Sequence, residues 1–236
     1  MKYLNSRKFG YFLLCAILGG LVIEFKVYAG VLILGGLLLL SIYELLKKSY
    51  QTLILFLTTF LIALGIYLPN STNSQDFLIW QPWWFIRTMV VAPDRLNWLD
   101  LELRRQTYIA ENNWKRVIQL EATAFFIFLI GNLGMRILGF WSLFKQIRQN
   151  IFSNSFNLFF LIITTSSFFI PVFFLQKGVA WNAIQFNQYF LLFFGFLAAL
   201  SMPSILNLFK SKSLVIIASL IIIFLAIPTQ LGLLWQ

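Results

Sequence analysis

Three arginines in the one long polar connection of the chain, residues 70–116, are its first candidates for chemistry. They are Arg87, Arg104 and Arg105, and Glu121 follows shortly after the connection ends. A guanidinium presents paired donors that match the oxygens of a phosphate, so this group predicts a site for a phosphate-bearing ligand. The plainer interpretation is a solvated amphipathic helix with weak ion pairs, because Asp100 precedes Arg104 by four residues.

A second polar group lies between two apolar stretches, at residues 176–189, and is dense in amides and aromatic rings. Trp181 and Asn182 lie four and three residues before Gln185, so a helix would place all three on one side. Amides donate and accept hydrogen bonds and aromatic rings stack, which is what a sugar or a polar headgroup needs. With Lys177, these residues form a second predicted binding group, although the start of an interfacial helix explains them equally well.

Several kinds of chemistry are excluded by what the sequence lacks. The chain has no histidine, which removes His-based acid–base catalysis and histidine metal sites. Its one cysteine, Cys15, has no second cysteine to pair with, and we expect a buried, inert thiol. Asp100 and Glu102 are two residues apart, so a helix turns them to different faces, and we predict no metal site there.

The amino-acid composition indicates the class of protein in which these residues are positioned. The chain has 236 residues, of which 60% are apolar and 11% charged, with a mean hydropathy of +0.82. A soluble domain has about 45–50% apolar and about 25% charged residues, so a soluble globular enzyme and a disordered chain are both excluded. The net charge of +10 is better explained by bases in short membrane loops than by a nucleic-acid partner.

Seven apolar stretches indicate an all-α polytopic transmembrane bundle of about seven spans, forming one transmembrane domain over residues 1–236. Most stretches reach the roughly 20 residues that a helix needs to cross a bilayer. The first and third are short, and a re-entrant hairpin is an alternative for the first two. The stretches are Phe9–Ile23, Val27–Leu46, Leu53–Leu68, Val117–Leu143, Leu158–Leu175, Tyr189–Phe209 and Leu214–Trp235.

The basic residues alternate between the connections and thereby predict an orientation. Every second connection is basic, which the positive-inside rule interprets as a cytoplasmic N-terminus and an extracytoplasmic C-terminus. The long connection is then extracytoplasmic. The bases on the cytoplasmic side are Lys2, Arg7, Lys8, Lys47, Lys48, Lys145, Arg148, Lys210 and Lys212, against Lys26 and Lys177 in the short loops of the other side.

The long connection itself predicts two short helices, of which the first lies on the membrane surface. Pro82–Val91 follows a tryptophan cluster that suits the headgroup level. Pro93 is expected to open the second helix, in which leucines recur at helical spacing. Glu111 and Lys115 are also four apart in the favourable order.

One arginine falls inside the fourth apolar stretch. Arg136 lies 15 residues after Glu121, about 22 Å along a helix, so the two cannot pair. We expect Arg136 to reach toward the cytoplasmic boundary as a snorkelling or structural residue.

Four segments together resemble parts of a known family. They are the short connection Glu24–Gly30, the polar helix Leu101–Tyr108, the span end Gly131–Arg136 and the loop Gln176–Phe186. In these the chain resembles the C-terminal membrane part of bacterial GT-C type glycosyltransferases. The resemblance implies a multi-pass protein of the bacterial inner membrane that handles a polyprenyl-phosphate-linked sugar at the extracytoplasmic face.

The acidic catalytic motif of that family belongs in the first extracytoplasmic loop, which here is reduced to Glu24–Lys26. The resemblance therefore implies a substrate-binding C-terminal half, joined by an N-terminal half or a partner membrane subunit, with the catalytic residues unknown. It implies no cofactor from this chain, although an acidic motif upstream would allow a divalent cation. We expect the polar helix, Arg87 and the loop at 176–189 to converge on one cavity.

Two other functions fit the sequence. A non-catalytic membrane scaffold or assembly partner would use small residues to pack against another chain. A transporter or flippase subunit would use prolines and hydroxyl residues near the midplane, at Pro171, Pro203 and Thr164–Ser167, but it would lack an acid there for ion coupling. The small residues are Gly19, Gly20, Gly30, Gly35 and Gly36.

Overall fold

The computed structural model of the chain describes residues 9–70, 78–149, 151–209 and 211–226. This part of the chain is largely helical, which confirms the all-α class. Five helical segments are long and apolar enough to cross a membrane, as expected of an integral membrane protein. They are Val27–Leu46, Gln51–Pro69, Trp114–Arg148, Ser155–Phe173 and Ala180–Leu206.

The first and last apolar helices are shorter, so the structure does not confirm seven spans. Their described parts contain 17 and 15 residues, about 25 and 22 Å of helix against a hydrocarbon core of about 30 Å. Several sequence predictions lie outside the described residues. These are the bases Lys2, Arg7, Lys8 and Lys210, and the end of the seventh stretch at Trp235 with the C-terminus.

The helices and strands follow in chain order. The helices are α1 (Phe9–Phe25), α2 (Val27–Leu46), α3 (Gln51–Asn70), α4 (Trp84–Val91), α5 (Leu99–Ala110), α6 (Trp114–Leu133), α7 (Gly139–Arg148), α8 (Ser155–Phe173), α9 (Gln185–Leu206) and α10 (Lys212–Ala226). The strands are β1 (Leu78–Trp80) and β2 (Phe174–Gln176), and short 3-10 turns occupy Gly134–Leu138, Ile151–Ser153 and Ala180–Ile184.

The chain groups into two compact units, and the first comprises the described residues of Met1–Pro82 and Arg148–Phe190. Its helices pack closely because glycines lie where they meet. A Cβ placed on Gly20 would lie 2.6 Å from Ile62, and one on Gly36 would lie 2.5 Å from Ile163. These glycines therefore allow α1 to pack tightly against α3, and α2 against α8, within the same chain. The small residues considered for a scaffold are in part used internally.

A carboxylate joins three helices of the first unit at one end. Glu44 near the end of α2 accepts hydrogen bonds from the hydroxyls of Thr52 on α3 and Ser155 on α8. Asn154 caps α8 by accepting from the backbone N–H groups of its first turn. These polar contacts hold the C-terminal end of α2 next to the N-terminal ends of α3 and α8.

A two-stranded antiparallel pair was not predicted from the sequence. β1 pairs with β2 so that Leu78 lies opposite Gln176 and Trp80 lies opposite Phe174. The Trp80 ring stacks on Phe173 at 5.3 Å, which attaches the long connection to the end of α8. Three-residue strands that are far apart in sequence leave no periodic signal, so the pairing could not be seen before folding.

The second unit comprises Trp83–Ile147 and the described residues of Leu191–Gln236. The predicted fourth stretch, Val117–Leu143, is not one helix here. α6 ends at Leu133, and Gly134 follows with φ +49° and ψ −128°, a conformation that only glycine adopts without strain. A 3-10 turn, Gly134–Leu138, then leads into α7, so the α-helix is interrupted within the fourth apolar stretch.

The prediction that Pro93 opens the second helix of the connection is wrong. Residues 93–96 form turns, and Asn97 takes a left-handed conformation with φ 51°. The N–H of Trp98 donates to the carbonyl of Val90 at 2.9 Å, closing the chain back onto α4. α5 therefore begins at Leu99. The first helix of the connection, predicted at Pro82–Val91, is present as α4 and begins two residues later, at Trp84.

Candidate functional site

One face of α6 carries the residues that organise the polar connection. Glu121, Phe125 and Phe128 recur at positions i, i+4 and i+7, so they lie on one side of the helix. Phe128 meets Phe85 of α4 edge-on at 5.0 Å, and Phe125 stacks near Trp83 at 5.8 Å. This aromatic packing holds α4 against α6 and places Glu121 beside Arg87 of α4.

Arg87, Glu102, Arg105 and Glu121 form what we call the ionic cluster. Arg87 donates from Nη2 and Nε to Glu121 Oε1 at 3.1 and 3.3 Å. Arg105 donates to both oxygens of Glu102 at 2.6 and 2.8 Å, and its Nη1 lies 3.7 Å from Glu121 Oε1. Three helices, α4, α5 and α6, therefore each contribute at least one charge to a single network.

Burial makes these contacts stronger than those of a surface pair. The side chains of Arg105, Glu121 and Glu102 are 14%, 18% and 19% exposed. The Arg105 guanidinium donates to Glu102 and holds the pKa of that carboxyl below its ordinary value, although burial opposes the shift and Gln106 adds a further hydrogen bond. The hydrogen bonds to Glu102 raise the pKa of Arg105 in turn. Both side chains are thus charged at neutral pH.

The ionic cluster is open at Arg87, whose side chain is 40% exposed. Within the described residues, the side chain of Arg87 donates only to Glu121 Oε1, and Glu121 Oε2 accepts no hydrogen bond. An accessible guanidinium beside a carboxylate oxygen without a donor suits a ligand that carries a phosphate next to a hydroxyl.

Of the four residues predicted in and just after the polar connection, the structure brings three together, namely Arg87, Arg105 and Glu121. Arg104 lies apart from them and pairs with Asp100 at 2.8 Å, with both side chains more than half exposed. The expected pairing of Glu111 with Lys115 is wrong, because Asn112 with φ 57° ends α5 and Asn113 caps α6 between them. The two residues never share a helix.

The second predicted group belongs to the first unit. Lys177 and Trp181 are exposed, and the Asn182 side-chain oxygen accepts from Gln185 at 3.5 Å. The side-chain oxygen of Gln185 is buried and has no donor among the described residues. Nearby in sequence, Gln176 accepts from the hydroxyl of Tyr28 at 3.0 Å, and Tyr28 packs edge-on against Phe186. We call Gln176, Asn182, Gln185 and Tyr28 the amide group.

Glu102 is the member of the ionic cluster that the sequence reasoning missed. It entered only as half of a metal-binding pair, yet Asp100 and Glu102 each bond to an arginine of their own helix. The spacing of Glu102 and Arg105, three residues apart, was the available signal. In the described ranges no three acidic or cysteine side chains come together as metal ligands would.

Comparison of the chain with protein-family models, with curated proteins and with solved structures finds no match. The assignment of a function therefore depends on the residues of the ionic cluster and the amide group.

Proposed function

We propose that this chain is a membrane-embedded, GT-C-like glycosyltransferase component that binds a lipid-phosphate-linked sugar. It serves as the substrate-binding half of the enzyme, and the acidic residues of catalysis come from a partner segment or subunit. The observation that carries the proposal is the open side of the ionic cluster, where Arg87 is accessible beside Glu121.

The ionic cluster supports the phosphate part of the ligand. A phosphate oxygen can take the donors of Arg87 that Glu121 leaves unused, and the surrounding helices keep those donors in place. The proximity of Arg105 adds a second positive charge on the same side of Glu121. A neutral four-residue network avoids a large unpaired charge when no ligand is bound.

The amide group and the adjacent Trp181 support binding of the sugar part of the ligand. The buried oxygen of Gln185 without a donor is costly unless a hydroxyl supplies one. The exposed ring of Trp181 offers an apolar face for a sugar ring.

The proposal includes an orientation. The positive-inside pattern of Lys47, Lys48, Lys145 and Arg148 puts the polar connection outside the cytoplasm. We place the chain in a bacterial inner membrane on the family resemblance alone.

Titration of the full chain with a short-chain polyprenyl-phosphate hexose tests the proposal. Arg87→Gln removes the accessible guanidinium, and a hydrogen bond to a charged group contributes about 1.5–3 kcal/mol. We therefore expect affinity to fall by about tenfold to a hundredfold. The matched control is Lys115→Gln, which removes one exposed charge near the start of α6 outside the ionic cluster.

The proposed binding role of Arg87 would be refuted if the two variants bound the ligand equally well. Glu121→Gln separates the hydroxyl contact from the phosphate contact, because it keeps the shape of the side chain and removes its charge.

A further inference from the structure

A separate cavity of about 340 Å³ lies in the second unit, at the interruption of the fourth apolar stretch. The 3-10 turn Gly134–Leu138, α9 and α10 form its walls. Arg136 is the one charged residue among the ten that line it. The apolar part of the wall includes Met135, Leu138, Ala198, Met202, Ile222 and Leu225.

The side chain of Arg136 has no hydrogen bond or ion pair with any residue in the described part of the chain. A guanidinium carries five donors and stays charged at every physiological pH. Removing such a group from water without an anion is costly, so an apolar wall around it favours a ligand that supplies negative charge. Gly195 leaves space beside it, since a Cβ there would lie 3.8 Å from Arg136 Nε.

The depth of Arg136 indicates where that negative charge comes from. α6 has 20 residues from Trp114 to Leu133, about 30 Å at 1.5 Å per residue, and Arg136 follows three residues later in the 3-10 turn. The hydrocarbon core is about 30 Å thick. With Trp114 at one interface, Arg136 therefore lies at the depth of the phosphate groups of the opposite leaflet.

We propose that this cavity binds an anionic phospholipid of that leaflet, with its phosphate on Arg136 and part of one acyl chain along the apolar wall. The volume is at the lower end of the about 300–1,000 Å³ of small-molecule pockets, so it accepts part of a lipid rather than two whole chains. The bidentate match of guanidinium to phosphate gives the preference for the anionic headgroup. The site is independent of the ionic cluster, which lies near the other end of α6.

The experiment measures binding of fluorescently labelled dioctanoyl phosphatidic acid and dioctanoyl phosphatidylcholine to the full chain in detergent. We expect at least a tenfold preference for phosphatidic acid, reduced to less than twofold in Arg136→Gln. Lys145→Gln, which removes an exposed charge of the neighbouring α7, is the control and keeps the preference. Equal affinity of the wild-type chain for the two lipids, or an unchanged preference in Arg136→Gln, overturns the proposal.

Two further measurements test the site even if the Arg136→Gln variant does not fold. Ala198→Phe fills the apolar wall without removing the charge, and we expect it to weaken phosphatidic acid binding at least fivefold; unchanged binding contradicts the site. Inorganic phosphate is the second probe. Displacement of the labelled lipid by phosphate at comparable concentration would show a site for free phosphate and overturn the lipid assignment, whereas no displacement supports it.

Discussion

At the residue scale, two adjacent arginines of α5 have opposite surroundings. Arg105 is 14% exposed and bonds to Glu102, whereas Arg104 is 64% exposed and pairs with an equally open Asp100. An exposed ion pair contributes about 0–1 kcal/mol, while leaving a mostly buried charge without its partner costs more. The sequence alone treats the two as equivalent, and only the rotation of the helix against α6 distinguishes them.

We expect Arg105→Ala to lower the free energy of unfolding by about 1–3 kcal/mol, because it leaves Glu102 charged and unpaired. Arg104→Ala should change it by less than about 1 kcal/mol. Thermal unfolding of both variants in the same detergent measures the difference. Equal losses of stability would mean that the ionic cluster does not hold α5 in place.

Glu102 also predicts a pH dependence. Its pKa is lower in the folded chain than the ordinary 4.5, so its contribution to stability is fully present above about 4.5 and is lost as pH falls through the folded value. We expect the melting temperature to fall as the pH decreases below about 4.5, and to fall less in Glu102→Gln. Parallel curves for the two proteins would contradict the assigned hydrogen bonds.

At the element scale, α5 presents three different faces. Leu101, Glu102 and Arg105 turn inward, Leu99 and Leu103 are exposed, and Asp100 and Arg104 are exposed on the polar side. A helix with adjacent apolar and charged outer faces suits the boundary between lipid and water. The leucine spacing indicated a helix correctly, but the buried position is Leu101 and not the recurring leucines.

Adjacent glycines of α2 offer a matched test of helix packing in the first unit. A Cβ on Gly36 would meet Ile163 at 2.5 Å, while nothing lies within 4 Å of one on Gly35. Alanine favours a helix over glycine by about 1 kcal/mol, so Gly35→Ala should keep or raise the melting temperature. Gly36→Ala should lower it through overpacking that costs about 1–3 kcal/mol. Equal effects in the two variants would show that α2 does not pack on α8 at this point.

The sequence predicted the elements better than the site, for a physical reason. Apolar stretches are averages over some 20 residues, so the second stretch matches α2 at both ends, Val27 and Leu46. The ionic cluster instead depends on single reversals of the chain at Asn97 and Asn112, both with positive φ. Asparagine tolerates that conformation, and the Asn112-Asn113 pair before an apolar run is a capping signal that was available and not used.

At the scale of the whole molecule, the distribution of bases predicts which side each connection faces. We expect Thr107→Cys on α5 to react with a membrane-impermeant thiol reagent added to intact cells, and Lys145→Cys on α7 to react only after the cells are opened. Both side chains are exposed, and Cys15→Ser removes the native thiol. The reverse labelling pattern would invert the orientation and place the ionic cluster in the cytoplasm.

The measurement closest to the central claim compares two ligands on the unmodified chain in lipid nanodiscs. One is the short-chain polyprenyl-phosphate hexose, and the other is the polyprenyl hexoside of the same length without the phosphate. If the open side of the ionic cluster recognises the phosphate, the first should bind at least about tenfold more tightly, a difference of about 1.4 kcal/mol. Equal affinity for the two ligands would contradict a role of the cluster in binding a lipid-phosphate-linked sugar.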